Sequence, residues 1–367
     1  MSGVHRLKMK DLRSVKNADV KNKTVMLRAD LDVPIQSSQI ADDTRLKAWF
    51  PTLQYLLEEG ATIIIVGHLG RPSPRITNHE SRIKNYDKEF SLRPVALWIK
   101  DKLRSQNEPK ETKVGEFEGW EITDKIFLLE NIRFYQEEEK NDPQFAKRLA
   151  SIAQVYVNDA FASSHRAHAS IVGITKFLPS FAGLRLLEEV KVLSQVLENP
   201  KRPLGVVIGG AKIETKLPLV EEMHGFADYI LVGGEIVEND KVLLKIAHER
   251  VHSKSILLMA DTIENKQEIT LRSVENFLQV LKNAQTIVWN GPLGQIEDEK
   301  YQAGTQTLAE GIVKIPAFTI VGGGDTIGFL KKKNLLKQFS FVSTGGGAML
   351  EFLAGEYLPG LVALEQK

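Results

Sequence analysis

The sequence predicts an α/β protein made of two Rossmann-like, doubly wound parallel-sheet domains joined by a helix, with a cleft between them. Short β-type runs alternate with helix-type runs from end to end, the pattern of a parallel sheet covered on both faces. The alternation is interrupted once, after Pro179, by an apolar-periodic segment from Leu184 to Leu197 that stops at Asn199-Pro200; it restarts at Leu204. At 367 residues the chain is also longer than one hydrophobic core usually grows. The expected division is a first domain over 1–182, a connecting helix over 183–198, a second domain over 199–350 and a C-terminal segment over 351–367.

In chain order, Thr24 to Ala29 reads as a strand. Thr44 to Glu59 reads as a helix with Asp42 or Asp43 as its cap and Gly60 as its stop. Ala61 to Val66 is a second strand, Leu92 to Leu103 a helix capped by Ser91, and Lys125 to Leu129 a strand. Asp142-Pro143 opens a helix with a capping acid and a proline at the first position, and Val155 to Asn158 closes this half. In the second half, strands are expected at Leu204 to Ile208, Tyr229 to Val232, Ser255 to Met259, Thr286 to Trp289, Phe318 to Val321 and Phe341 to Val342. Helices fall between them, at Ile269 to Leu281 and Tyr301 to Val313 among others.

The polar and glycine-rich signatures sit at the ends of these strands. Arg28-Ala29-Asp30-Leu31-Asp32, His68-Leu69-Gly70-Arg71, Glu130-Asn131-Ile132-Arg133 and Asn158-Asp159, running on to His165-Arg166-Ala167-His168, follow strands of the first half. Gly209-Gly210-Ala211-Lys212, Trp289-Asn290-Gly291-Pro292, Gly322-Gly323-Gly324-Asp325-Thr326 and Ser343-Thr344-Gly345-Gly346-Gly347 do so in the second. In open α/β sheets the carboxyl edge is where ligands bind.

The two halves carry different chemistry. The first supplies cations, namely Arg28, Arg45, His68, Arg71, Arg133, His165, Arg166 and His168, and arginine forks match the oxygens of a small polyanion. His165 and His168, three apart, lack a third clustered ligand for a metal, so anion contact or a buried hydrogen bond is expected; for His68 a packed core histidine is the lesser alternative to anion contact. The second half supplies glycine loops, Lys212, Asp325 and Glu297, which suit a magnesium nucleotide: amides and an ammonium for phosphates, one acid for the metal, another for ribose. Lys212 also reads as a surface charge and Asp325 as a helix N-cap. Neither G-x-x-x-x-G-K-[ST] nor G-x-G-x-x-G occurs.

Lys and Arg total 48 against 47 Asp and Glu, a net charge of +1 that gives no reason to expect nucleic acid or an anionic membrane as partner. The absence of cysteine excludes disulfides, thiolate metal sites and a Cys nucleophile. Met1 to Asp11 has no apolar leader-like run and no stretch is long enough to span a bilayer, so a cytoplasmic location is expected, with a monomer as default.

Taken together and in order, the motifs resemble those of phosphoglycerate kinases: GHLGRP at 67–72, LLENIRF at 128–134, YVNDAF at 156–161 with HRAHAS at 165–170, GGAKIETK at 209–216, WNGPLG at 289–294, GGGDT at 322–326 and STGGGA at 343–348. The resemblance implies reversible phosphoryl transfer between 1,3-bisphosphoglycerate and ADP, giving 3-phosphoglycerate and ATP, with Mg²⁺. It assigns the triose substrate to Asp30, Asp32, Arg45, His68, Arg71, Arg133 and Arg166. It assigns the nucleotide to Gly210, Ala211, Lys212, Lys216, Gly233, Gly234, Asn290, Pro292, Glu297, Gly323, Gly324, Asp325 and Thr326, with Asp325 at the metal. Arg45, Lys212, Gly345 and Gly346 take the catalytic roles, and the C-terminal segment returns to the first domain.

The acceptor carboxylate is ionised at neutral pH, so attack on phosphorus needs no general base; positioning and charge stabilisation remain. Ligand sets on separate domains lead us to expect a closing motion that excludes water. Asp32 stands where the resembled family usually has Asn, Glu235 where a third glycine or small residue is usual, and Gln295 where an apolar one is, while the region from Ile236 to Asn283 is short. The altered nucleotide region leaves a non-catalytic phosphoglycerate kinase-like metabolite-binding protein as the alternative. A dehydrogenase on the same architecture lacks its dinucleotide fingerprint.

Overall fold

The computed structural model describes residues 12–72, 88–211, 213–239, 242–243 and 255–365. Its described residues divide into two compact units, one within 191–356 and one of 12–190 together with 357–365.

The first unit is built on a seven-stranded sheet. Strands β1 (Thr24–Arg28), β4 (Thr62–Val66), β7 (Ile126–Leu129), β8 (Val155–Asn158) and β9 (Ser180–Ala182) run parallel in the order β7-β4-β1-β8-β9. In chain sequence that is 3-2-1-4-5, so the winding reverses between β1 and β8, whose register pairs Arg28 with Asn158. Both faces of these strands are covered, which is why Val25-Met26-Leu27 and Ile63-Ile64-Ile65-Val66 read as unbroken apolar runs. Helices α1 (Thr44–Glu58) and α2 (Arg93–Leu103) cover one face with Leu46, Trp49, Leu53, Leu56, Val95 and Ile99, each at most 1% exposed. Burying each such side chain stabilises the fold by about 1.5–3 kcal/mol.

The predicted parallel strands lie within a residue of their expected ends. Asp43 is the N-cap of α1 but its side chain makes no capping bond; Asp42, one residue before, supplies the acceptor, its Oδ1 taking the Thr44 amide at 2.9 Å, and Gly60 follows the helix end at φ +83°. Ser91 lies one residue outside the N-cap of α2, which is Leu92, and its hydroxyl accepts from the Arg93 amide at 3.2 Å while donating to Glu130 Oε2.

The structure adds strands that the pattern does not reveal. Strands β5 (Lys110–Val114) and β6 (Phe117–Thr123) extend the sheet antiparallel beyond β7, and β9 lies beyond β8, so Val155–Asn158 is not the last strand of this half. Lys110-Glu111-Thr112-Lys113-Val114 is a charged edge strand with no buried residue, and β9 has only three residues, so neither shows a periodicity. A two-stranded ribbon, β2 (Ile35–Gln36) with β3 (Gln39–Ile40), is likewise too short.

The second unit has six parallel strands: β10 (Leu204–Ile208), β11 (Tyr229–Val232), β12 (Ile256–Met259), β13 (Thr286–Asn290), β14 (Phe318–Gly322) and β15 (Phe341–Ser343), ordered β12-β11-β10-β13-β14-β15. This is the doubly wound 3-2-1-4-5-6 order, with its reversal between β10 and β13, where Ile208 pairs with Asn290. Trp289, Phe277, Leu308 and Ile312 build the core beneath it, and the Trp289 indole N–H is satisfied by the Gly291 carbonyl at 2.8 Å.

The helix Leu184–Glu198 carries the chain from the first unit to the second. After Glu356 the chain rejoins the first unit: the Gly360 amide donates to the Ser164 carbonyl at 2.8 Å, Leu361 and Leu364 are buried, and Glu365 bridges Leu12. Among the described residues no helix is long and apolar enough to cross a membrane.

Candidate active site

In the first unit, the predicted cations converge where the winding reverses. Arg28, wholly buried at the end of β1, donates through Nε to Ser170 Oγ (3.0 Å), through NH1 to the Ala29 carbonyl (2.5 Å) and through NH2 to His68 Nδ1 (3.0 Å). Arg28 is therefore a strut within the site rather than an open ligand. Its bond to Nδ1 makes that nitrogen the acceptor and places the imidazole proton on Nε2, which lies 3.9 Å from Asp32 Oδ2. Burial, then the charge of Arg28, lowers the pKa of His68 well below its ordinary value, so the ring is neutral.

Arg45, from the first turn of α1, faces both acids that follow β1. Its NH1 lies 3.7 Å from Asp30 Oδ1 and 3.6 Å from Asp32 Oδ2, and it donates to the Asp32 carbonyl at 2.9 Å. Asp30 is 3% exposed and neither carboxylate oxygen has a hydrogen-bond partner; burial raises its pKa, and Arg45 opposes that rise. Asp32 Oδ1 accepts from the Gly70 amide at 2.9 Å, which ties the β1 and β4 loops together. Arg133 donates to the Gly70 carbonyl at 2.6 Å and lies 3.2 Å from Glu139, while burial and the neighbouring Arg166 bring its pKa down to about 10.

Arg166 Nε bonds His165 Nε2 at 3.2 Å. Burial and the surrounding arginines lower His165 to about 4 and His168 to about 3. Arg71 is exposed at the mouth of the β4 loop. A cluster that holds this many guanidinium groups beside neutral imidazoles carries surplus positive charge, the electrostatic complement of a small polyanion.

In the second unit, the reversal point is floored by Lys216. Lys216 is buried and its ammonium donates to Asn290 Oδ1 at 2.5 Å, binding the first turns of the helix Ile213–His224 to the end of β13. The backbones of the two central loops are so close that a Cβ on Gly291, at φ +92°, would fall 2.0 Å from the Gly209 carbonyl oxygen. Glycine is obligatory there for contact with the neighbouring loop. Gly210 and Gly234 also hold positive φ, and a Cβ on Gly234 would come 2.8 Å from the Gly210 amide. At Gly324, Gly346 and Gly347 a Cβ would meet nothing within 4 Å, so those backbones face open space.

Asp325 is exposed in the first turn of the helix Gly324–Lys332, after Gly323 at φ +96°. Thr326 is buried, its hydroxyl without a hydrogen-bond partner, and Asn290 Nδ2 is equally unmatched. Glu297 is exposed in a turn beyond Pro292. Gly345 donates to Ser343 Oγ at 3.2 Å. Lys212 lies outside the described residues, as do Met1 to Asp11 and, within the shortened region, 240–241 and 244–254.

The two departures near the second rim meet each other. Gln295 donates to Glu235 Oε1 at 3.5 Å and accepts from Gln267 Nε2 at 3.1 Å, so a polar pair occupies positions where small and apolar side chains were expected. Buried Glu268 escaped the sequence reading: its oxygens accept from the Ile269 amide (2.9 Å) and the Gly304 amide (3.0 Å), and it packs against Gly294. Glu138, also missed, is buried against Ser170, although it sits in a Glu137-Glu138-Glu139 run that reads as a solvated turn.

Two doubly wound sheets, one edged by an arginine-rich cationic cluster and the other by glycine loops over a buried lysine, accord with the class that the relatives below show, an α/β phosphotransferase that uses ATP or ADP. The chain belongs to the phosphoglycerate kinase family: the family model described as Phosphoglycerate kinase matches residues 15–270 and 240–356. The phosphoglycerate kinase of Coprothermobacter proteolyticus is 38% identical, over 96% of this chain and 98% of the relative. Phosphoglycerate kinase 1, chloroplastic, of Arabidopsis thaliana is 37% identical over 99% of this chain and 84% of its own length. Among solved structures, the phosphoglycerate kinase of Coxiella burnetii superposes with a TM-score of 0.78 at 33% identity, covering 96% of this chain and 98% of that one.

Proposed function

We propose that the protein catalyses reversible phosphoryl transfer between 1,3-bisphosphoglycerate and ADP, giving 3-phosphoglycerate and ATP. The observation that carries this is the convergence of guanidinium groups, Arg28, Arg45, Arg133 and Arg166, around the β1 edge, which suits an acid bearing both a carboxylate and a phosphate. In this reading residues 1–182 form the triose domain and 199–350 the nucleotide domain; 183–198 connect them and 351–367 complete the first.

The triose acid is assigned to Asp30, Asp32, Arg45, His68, Arg71, Arg133 and Arg166. His68 contributes its Nε2–H and the arginines contribute charge. The nucleotide is assigned to Gly210, Ala211, Lys212, Lys216, Gly233, Gly234, Asn290, Pro292, Glu297, Gly323, Gly324, Asp325 and Thr326. The unmatched Thr326 hydroxyl and Asn290 amide support that assignment, because a buried polar atom left without a partner in the free protein is one a ligand can satisfy.

In the ATP-forming sense, an oxygen of the ADP β-phosphate attacks the acyl phosphorus, its bond to the carboxylate oxygen breaks, and 3-phosphoglycerate leaves as the free carboxylate. In the reverse sense that carboxylate is the nucleophile and ADP the leaving group. No proton need be removed in either direction, so Arg45, Lys212 and the amides of Gly345 and Gly346 serve charge stabilisation and orientation.

The residues present fit a magnesium ion carried by phosphate. Among the described residues no three His, Asp or Glu gather as a protein cage, and exposed Asp325 stands alone at a helix start on the glycine rim. A cation that keeps water and phosphate oxygens as most of its ligands needs one such carboxylate. When bound by Asp325 and the phosphates, Mg²⁺ would neutralise the charge of the transferred group. The reading also takes the enzyme as a cytoplasmic monomer acting on small molecules, with neither nucleic acid nor membrane as partner.

A coupled assay of ADP formation from ATP and 3-phosphoglycerate tests the proposal: turnover should require all of ATP, the triose acid and Mg²⁺. Binding of the triose acid without turnover would favour a non-catalytic metabolite-binding protein instead.

A further inference from the structure

We propose that Glu138 and Ser170 are positioning residues for His68, acting through Arg28. This deepens the triose-site reading above and rests on it for its effect on binding. Glu138, fully buried, accepts the Ser170 amide at Oε2 (2.9 Å) and the Ser170 hydroxyl at Oε1 (2.6 Å). Burial raises the pKa of Glu138, while the charge of Arg28 and the two Ser170 bonds oppose the rise; in its ionised form the carboxylate is acceptor only, so the single hydroxyl proton of Ser170 is committed to Glu138. The lone pairs of Ser170 Oγ are thereby turned to Arg28 Nε at 3.0 Å.

That bond orients the guanidinium plane. With Nε held by Ser170 and NH1 by the Ala29 carbonyl, NH2 is aimed at His68 Nδ1, 3.0 Å away. The imidazole is left with one donor, Nε2–H, on the side of Asp32 and the open cluster. Glu138 also supplies the negative charge that Arg28 otherwise lacks among its bonded neighbours.

The Ser170 hydroxyl is not needed to hold its own loop. The Tyr156 hydroxyl donates to the Ser170 carbonyl at 2.7 Å, and the Ala169 amide donates to the Glu138 carbonyl at 2.9 Å, so the backbone is anchored independently of the side chain. A buried hydroxyl placed between an acid and an arginine, on a segment already fixed, is explained by what it does to the arginine.

The test uses the full chain with Ser170→Ala, and Glu138→Gln as a second variant should the first fold poorly. Long-range ¹⁵N–¹H spectra of the ligand-free protein at pH 7, with the His68 signals assigned from His68→Gln, read the tautomer directly. The wild type should show His68 protonated at Nε2 alone, whereas both variants should draw the two ring-nitrogen shifts together. The KM for 3-phosphoglycerate should rise about fivefold in either variant, with kcat and the KM for ATP unchanged. A His68 ring that stays wholly Nε2–H in both variants overturns the inference. A tautomer that shifts while the triose KM stays put upholds the relay and instead removes His68 from the substrate site, so the two readings fail separately.

Discussion

Replacing Asp32 by Asn should tighten binding of the triose acid. Asp32 and Asp30 share one guanidinium, Arg45, at 3.6 and 3.7 Å, so the pair of carboxylates carries one more negative charge than that arginine cancels. At 3.6 Å and an effective dielectric near 20, the Arg45–Asp32 attraction alone would be about 5 kcal/mol. The side chains of Arg45 and Asp32 are 27% and 39% exposed, however, and solvent screening reduces such a pair to about 1 kcal/mol. Freeing Arg45 by that amount corresponds to about a fivefold lower KM for 3-phosphoglycerate.

The substitution preserves the local geometry. An Asn oxygen can still accept from the Gly70 amide, and the Arg45 bond to the residue 32 carbonyl involves only backbone. Steady-state KM at saturating ATP is the measurement, and the gain should shrink as salt is raised from about 0.05 to 0.5 M, where screening shortens the reach of charge. An unchanged or higher KM for Asp32→Asn at low salt would mean instead that Arg45 already neutralises both acids.

Three further outcomes follow from the geometry. Lys216→Met removes a charge-assisted bond to buried Asn290; it should lower stability by about 2 kcal/mol in urea denaturation and raise the KM for ATP. Gly291→Ala should lower Tm far more than Gly346→Ala, since its Cβ would lie 2.0 Å from a carbonyl oxygen whereas that of Gly346 meets nothing within 4 Å; equal losses would contradict the account of the loop crossing. Asp159, buried with its pKa raised to about 7 chiefly by desolvation, folds most favourably when protonated. That contribution is complete below the unfolded value near 4 and is lost as pH rises through 7. Asp159→Asn should therefore stabilise the protein at pH 8, by at most about 4 kcal/mol, and by little at pH 4.

Much of the fold was legible because parallel strands buried on both faces leave continuous apolar runs, as at Ile63 to Val66 and Leu204 to Ile208. What escaped was β5, whose Lys and Glu residues guard a sheet edge, and β9, too short to show a period. Glu138 and Glu268 escaped for a different reason. A buried carboxylate is recognised only by the donors around it, and the telling ones, Ser170 for Glu138 and the Gly304 amide for Glu268, are remote in sequence.

The α/β alternation, the placement of the glycine and arginine motifs at strand ends and membership in one kinase family are all written in the order of residues, because those features are local and ordered along the chain. Tertiary structure alone decided which of the cations are open to a ligand. Arg28 and Arg71 read alike as letters, yet one is spent inside the protein on Ser170, Ala29 and His68 while the other is exposed. It likewise decided that Glu235 and Gln295, sixty residues apart, are hydrogen-bonded neighbours. Hydrogen-bond direction and burial depend on distances between residues far apart in the chain, and no periodicity encodes them.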